Sequence, residues 1–129
     1  MFRNRPVIKH LGPRRFRLVE PLVWAVRDDR ADELIVPAGF VTDLASFPDF
    51  LRDRKIFDPI GASGPAAILH DWLYATGKGG KAFADEVFRV ALVSCGVSSF
   101  TAWLMYQGVK WGGHGPYREH ARRRALAAR

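Results

Sequence analysis

Apolar and polar positions alternate with a period of two over much of the first 42 residues, which is typical of β-strands with one buried face. A polar turn at residues 28–32 and a Pro-Ala-Gly turn at residues 37–39 interrupt this alternation. The pattern therefore predicts a meander of two to four antiparallel strands. The predicted strands occupy residues 16–18, 22–26, 34–36 and 40–42.

Beyond residue 64, apolar positions recur at spacings of three and four, as they do on one face of an α-helix. Pro65 is suited to a first helical turn, and Gly77 and Gly96 are suited to helix ends. Three helices are predicted over residues 65–76, 84–95 and 100–111, and residues 117–129 are predicted to form a short basic helix that frays. The expected fold is α+β, a small N-terminal antiparallel β-meander followed by three helices packed on it and on one another.

The composition favours one globular domain. The chain has 129 residues, 48% of them apolar, which is enough for a core without disulfides or a structural metal. Its single cysteine, Cys95, has no partner for an internal disulfide and suits a reducing cytoplasm. Serine, glycine and threonine dilute the uncharged stretch at residues 90–107, so no transmembrane segment is expected. The predicted organisation is a basic arm (1–15), an α+β domain (16–116) and a basic tail (117–129).

The net charge of +7 is concentrated at the two ends of the chain. Residues 1–17 carry six basic side chains and no acidic one, and residues 118–129 carry five arginines and one glutamate. Such termini suit docking to nucleic acid, an anionic membrane or an acidic protein, and they equally suit a purely solubilising role. The candidate contact residues in the tail are Arg122, Arg123 and Arg124.

The strongest candidate for chemistry is a histidine on the first predicted helix. His70 and Tyr74 are four residues apart and share a helix face, whereas Asp71 points about 100° away from His70. Asp85 lies at the edge of the apolar stripe of the second helix, and a short Gly-rich loop between the helices lets His70 and Asp85 meet. An imidazole oriented by a carboxylate has the arrangement of a general base. The plainer interpretation is a core histidine, with Asp85 paired to Arg89 at the surface.

A second candidate lies at the end of the strand region, where Thr42, Asp43 and Ser46 occur among apolar residues. An Asx turn or helix cap made by Asp43 explains this pattern equally well. If Asp43 instead faces His70 and Asp85, the three side chains form a metal site suited to zinc, manganese or calcium.

Several motifs in order along the chain resemble those of small phage and prophage proteins grouped as domain of unknown function 1353. The motifs are GFVTDLASFP at residues 39–48, AILHDWLY at 67–74 and ADEVF at 84–88, followed by Met-Tyr at 105–106 and Gly112. The resemblance covers residues 15–115 and implies a tailed-phage or prophage origin, without an established activity.

The His-Asp helix pair is also similar to the helix pair of secreted and parvoviral phospholipase A2 enzymes, over about thirty residues. This similarity implies that His70 activates water, that Asp85 orients it, that Asp71 binds calcium and that Tyr74 braces the pair. The chain departs from those enzymes because it lacks their Gly-rich calcium loop and their disulfides.

Two functions are therefore expected. The first is a small phage-encoded hydrolase that cleaves an ester or amide of the host envelope with a His-Asp dyad, together with a divalent metal, calcium or zinc, held by Asp71 or Asp43. The second is a non-enzymatic virion protein of the tail, connector or capsid, in which His70 and Asp85 form a buried network. An enzyme needs His70 at the floor of an open cleft, and a structural network needs it enclosed. The expected partners are other virion proteins or host envelope components, and nucleic acid through the basic termini. The expected location is the bacterial host cytoplasm, with later association with the virion.

Overall fold

The computed structural model describes residues 1–13, 15–26, 32–42 and 63–128. They form an α+β arrangement in two compact units, Met1–Leu44 and Ala45–Arg129. The first unit contains the strands and the second contains the helices, as predicted. In chain order the elements are β1 (Ile8–Gly12), β2 (Arg15–Leu18), β3 (Leu22–Ala25), β4 (Glu33–Val36), β5 (Val41–Thr42), α1 (Gly64–Thr76), α2 (Lys81–Ser94), α3 (Ser99–Gly112) and α4 (His114–Ala127).

The strands form two antiparallel sheets within the first unit. β2 lies between β1 and β5 in a three-stranded sheet, and β3 pairs with β4 in a two-stranded sheet. Phe16 and Leu18 are buried while their neighbours Arg15 and Arg17 are exposed, which explains the period of two in β2. Strand β1 was not predicted, because residues 8–12 do not alternate cleanly. It forms through its pairing with β2, in which Ile8 faces Leu18.

The first three helices begin and end close to the predicted positions. Pro65 lies in the first turn of α1, and Gly77 ends this helix in the left-handed conformation (φ 71°), where its N–H donates to the carbonyl of Leu73. Ser98 caps α3 by accepting a hydrogen bond from the backbone N–H of Thr101. The described residues contain one complete helix more than the three predicted for the domain, because residues 114–127 form a fourth where a short, fraying helix was predicted.

Contacts with α1 explain why α4 is a complete helix, whereas a short helix that frays was predicted. The guanidinium of Arg124 donates to the carbonyls of Tyr74 (2.7 Å) and Ala75 (3.1 Å), two of the acceptors left open at the end of α1. The ring of Tyr117 meets the ring of Tyr74 edge-on, with 5.1 Å between centroids. These tertiary contacts compensate for the weak intrinsic helicity of a short arginine-rich segment.

None of the helices in the described ranges is both long enough and apolar enough to cross a membrane. The assignment of residues 16–116 to one domain stays a prediction.

Candidate functional site

Helices α1 and α2, joined by residues 77–80, bring the predicted histidine and aspartate into contact. The Nε2 atom of His70 lies 2.8 Å from the Oδ1 atom of Asp85. Both side chains are enclosed, with 0% of His70 and 2% of Asp85 exposed. The predicted contact between the two residues is confirmed. The alternative interpretation, in which Asp85 pairs with Arg89 at the surface, is wrong, because Arg89 binds Glu86 on the exposed side of α2.

Two further groups donate hydrogen bonds to the Asp85 carboxylate. The hydroxyl of Tyr74 donates to Oδ1 over 2.6 Å, and the ammonium of Lys81 donates to Oδ2 over 2.7 Å. Tyr74 reaches the carboxylate because it lies one helical turn after His70 on the same face of α1, as predicted. Asp85 therefore accepts hydrogen bonds from three side chains, through both of its oxygens.

Lys81 extends this network to a third helix. Its ammonium also donates to the carbonyls of Val109 (3.0 Å) and Lys110 (3.1 Å), near the end of α3. Lys81 was not predicted as a site residue, although its position four residues before Asp85 on one helix was the available signal. We refer to His70, Tyr74, Lys81 and Asp85 together as the Asp85 network.

The environment of each group determines its protonation. Burial lowers the pKa of His70, and it outweighs the hydrogen bond and negative charge of Asp85, which act in the opposite direction. Burial would by itself raise the pKa of Asp85, but hydrogen bonds from His70, Lys81 and Tyr74 together hold that pKa below its ordinary value. Burial, and then the hydrogen bond to Asp85, raises the pKa of the Tyr74 hydroxyl. At neutral pH the imidazole is therefore neutral, the carboxylate is ionised and the phenol is protonated.

These protonation states fix the tautomer of the imidazole. An ionised carboxylate can only accept hydrogen bonds, so the Nε2 atom of His70 carries the hydrogen that is donated to Asp85. The lone pair of the neutral ring then resides on Nδ1. The arrangement provides a proton acceptor at Nδ1 and an anion on the opposite side that stabilises the imidazolium formed when a proton is accepted.

Glycine is required where the end of α3 approaches the Asp85 network. A Cβ atom added at Gly113 would lie 2.6 Å from the hydroxyl oxygen of Tyr74, and closer still to the carbonyl oxygen of Val109. Both atoms are held by their own interactions within the network or the helix.

Asp71 lies apart from the Asp85 network, as its position on α1 predicted. Its Oδ1 atom is 3.4 Å from the Nε2 atom of His120, so it links α1 to α4. The described part of the chain contains no group of three or more His, Cys, Asp or Glu side chains placed to hold a metal ion. Asp71 and His120 alone do not supply the six to eight oxygen ligands of calcium. The role of Asp71 in binding metal stays a prediction.

The remaining predicted site residues are Thr42, Asp43 and Ser46. Asp43 and Ser46 lie outside the described residues. Thr42 is buried in β5, where it pairs with Phe16 of β2. The predicted role of Thr42 in supporting the site stays a prediction.

The three tail arginines differ in their surroundings. Arg122 and Arg123 are exposed and both bind Glu119. Arg124 is half-buried against the end of α1. Of the three, Arg122 and Arg123 are the ones placed to meet a partner, and that role stays a prediction.

Residues 16–109 match the profile of a family described as protein of unknown function, DUF1353. Neither a curated protein nor a solved structure gives a match to the chain. The matched range includes the Asp85 network in full and ends before α4 begins.

Proposed function

The chain belongs to the DUF1353 family, and we propose from the chemistry of its Asp85 network that it is a hydrolase in which His70 activates water. The proposed reaction is cleavage of an ester or an amide. The observation that carries the proposal is the 2.8 Å contact between the Nε2 atom of His70 and an ionised Asp85, which leaves the lone pair of a neutral imidazole on Nδ1.

The proposed mechanism assigns a separate task to each group. The Nδ1 atom of His70 accepts a proton from water while the water oxygen forms a bond to the substrate carbonyl carbon. Asp85 stabilises the resulting imidazolium through its hydrogen bond to Nε2. The bond to the leaving oxygen or nitrogen then breaks, and Nδ1 returns the proton to that atom. Tyr74 and Lys81 act as positioning residues because they fix the carboxylate that orients the ring.

The complexity of the network supports a chemical role. Lys81 and Tyr74 already satisfy a buried carboxylate with a charge and a hydroxyl. His70 is a further ionisable side chain in this enclosed site, and its burial adds a desolvation cost. An apolar side chain in its place would fill the same space without that cost. Strongly perturbed ionisable groups of this kind are concentrated at functional sites.

The substrate class follows from the expected phage or prophage origin of the chain. A phage-encoded hydrolase meets the host envelope during entry or lysis, so we propose a lipid ester or a cell-wall amide as the substrate. His70 is fully enclosed in this structure. Turnover therefore requires an opening movement that admits water and substrate to Nδ1.

A second function is favoured by that same enclosure. If the Asp85 network is purely structural, it locks α1, α2 and the end of α3 together in a non-enzymatic virion protein. The full use of both Asp85 oxygens by three donors is what such a role needs.

The substitution His70→Gln separates the two functions. A glutamine amide retains an N–H that can donate to Asp85, but it is not a base. We expect it to lower turnover by roughly 100-fold or more, the contribution of a general base, while the protein still unfolds cooperatively. The matched control is Glu86→Gln, which removes an exposed carboxylate next to Asp85 on α2 and should leave turnover unchanged.

The probes are p-nitrophenyl butyrate, phosphatidylglycerol vesicles assayed for released fatty acid, and purified bacterial cell wall assayed for soluble fragments. Turnover of at least one probe by the wild type, and its loss in the His70→Gln variant, supports the hydrolase. If the wild type does not exceed the His70→Gln variant on any probe, the hydrolase proposal is refuted. A loss of about 1–3 kcal/mol of stability in a His70→Ala variant then favours the structural function.

A further inference from the structure

Helix α3 presents aromatic and aliphatic side chains to solvent along its whole length. The exposed fractions are 69% for Phe100, 49% for Trp103, 46% for Leu104 and 70% for Trp111. Their spacings of three, four and seven residues place them on one side of the helix. We call these four residues the α3 stripe.

The α3 stripe is not the face that α3 uses for folding. The buried residues of this helix are Ala102, Met105, Gly108 and Val109, which lie on the opposite side. Taking ~200 Å² for a fully exposed large side chain, the stripe leaves about 500 Å² of apolar surface in water. An exposed patch of this size on one helix face is characteristic of an interaction surface.

The stripe lies on a helix whose net charge is positive. Helix α3 contains no Asp or Glu, and its one charged side chain, Lys110, belongs to its last turn. The ammonium of Lys110 lies 5.5 Å from the ring centroid of Trp111 and 5.8 Å from that of Tyr106. The stripe therefore combines tryptophan and phenylalanine rings with a cation at one end.

The rest of the helical unit has the same sign. Residues 63–128 carry eight Lys and Arg side chains and four Asp and Glu side chains, a net charge of +4. Asp71 and Asp85 are buried, and the other two acidic residues, Glu86 and Glu119, are paired with arginines. An approaching anionic surface would therefore meet little uncompensated negative charge on the described helices.

From these observations we propose that the α3 stripe docks the protein onto a lipid surface that contains anionic headgroups. The apolar rings enter the boundary between headgroups and acyl chains, where tryptophan is favoured, and Lys110 binds a headgroup. α3 would lie along the surface of the bilayer. A second copy of the chain fits less well, because it would bring Lys110 and a net charge of +4 against the same charges.

This docking function is additional to the proposed hydrolase and does not depend on it. The stripe shares no residue with the Asp85 network, although both involve α3. Binding to vesicles can be measured whether or not the protein hydrolyses a substrate. A protein without hydrolase activity would give the same binding result, so the two proposals fail separately.

Co-sedimentation with vesicles tests the proposal. The full chain is mixed with vesicles of phosphatidylcholine alone or of equal parts phosphatidylcholine and phosphatidylglycerol, and the bound fraction is measured as lipid is increased. The test variant is Phe100→Ser combined with Trp111→Ser, two highly exposed positions at which a polar side chain leaves the core intact. The control is Leu126→Ser, which removes an apolar side chain that is 52% exposed from α4.

We expect the wild type to bind the anionic vesicles at least about tenfold more tightly than the neutral ones. The double variant should bind the anionic vesicles at least about tenfold more weakly than the wild type, since two inserted rings are lost. The Leu126→Ser variant should bind like the wild type. Circular dichroism confirms that each variant is folded before its binding is measured.

Three results would overturn the proposal. The first is a wild-type protein that does not bind anionic vesicles. The second is a double variant that binds them as tightly as the wild type, which would place binding elsewhere on the basic surface. The third is a wild-type dimer in sedimentation equilibrium without lipid that the double variant abolishes, because the stripe would then be a surface for self-association.

Discussion

Acidification should destabilise the wild-type protein more steeply than it destabilises a His70→Gln variant. Burial lowers the pKa of His70 below its ordinary value of 6.5 in the folded protein. Between the folded pKa and 6.5, the unfolded chain therefore binds a proton at this position that the folded chain does not bind. The free energy of unfolding rises with pH in this window, and it falls as the pH is lowered from 6.5 towards the folded pKa.

The size of the effect is limited by the single proton involved. One proton gives at most about 1.4 kcal/mol per pH unit. The wild type should therefore lose up to about 1.4 kcal/mol more stability than the His70→Gln variant between pH 7.5 and pH 5.5. A smaller loss of the same sign would indicate that Asp85 offsets more of the burial effect. Glutamine does not titrate, so the difference between the two proteins isolates this one group.

Urea unfolding followed by circular dichroism at pH 7.5, 6.5 and 5.5 measures this difference. All three values are above the ordinary pKa of an aspartate, and that of Asp85 is lower still, so Asp85 remains ionised throughout. Parallel pH profiles for the two proteins would refute the reasoning. A wild type that gains stability relative to the variant on acidification would show that the charge of Asp85 outweighs burial.

Three other substitutions probe the contacts around the network, each measured by the same urea unfolding at pH 7.5. Gly113→Ala should lower the free energy of unfolding by about 1–3 kcal/mol, because the added methyl group meets fixed atoms. Its control is Gly115→Ala, where the methyl group enters open space and should change that free energy by less than about 1 kcal/mol. Lys81→Met should lower the free energy of unfolding by about 1–3 kcal/mol, because the buried carboxylate of Asp85 loses its cation. An unchanged free energy of unfolding would show that Lys81 does not stabilise the network. Arg124→Met should lower the free energy of unfolding by about 1–2 kcal/mol, because two carbonyls of α1 lose their donor. The control is Arg122→Met at an exposed position, which should change it by no more than about 0.5 kcal/mol.

The contact between His70 and Asp85 could be predicted because it depends on local features. Pro65 and Gly77 define the start and end of α1, and the loop to α2 is short. Two neighbouring helices with a short connection pack side by side, so the residues one or two turns from the loop face each other. The position of Tyr74 follows from the same helical period. The alternation of charged and apolar residues in β2 is a local feature of the same kind, and it identifies the buried face of that strand.

Features that depend on distant parts of the chain were missed. Strand β1 exists because β2 provides a pairing edge, and its own residues carry little strand signal. α4 is a complete helix rather than a fraying one because Arg124 and Tyr117 find partners on α1, more than forty residues earlier in the chain. The donation from Lys81 to α3 likewise joins residues nearly thirty positions apart. Local periodicity carries no information about such pairings.

Tyr74 connects the Asp85 network to the basic C-terminal helix, which was predicted to be a separate tail. Its hydroxyl donates to Asp85, its carbonyl accepts from Arg124, and its ring packs against Tyr117. A displacement of α4 would therefore move the residue that fixes the carboxylate and, through it, the orientation of His70. Under the hydrolase proposal this coupling makes α4 a determinant of turnover, whereas under the structural proposal it makes α4 a determinant of stability alone. The Arg124→Met variant separates the two, because in a hydrolase its turnover should fall further than its loss of folded protein explains.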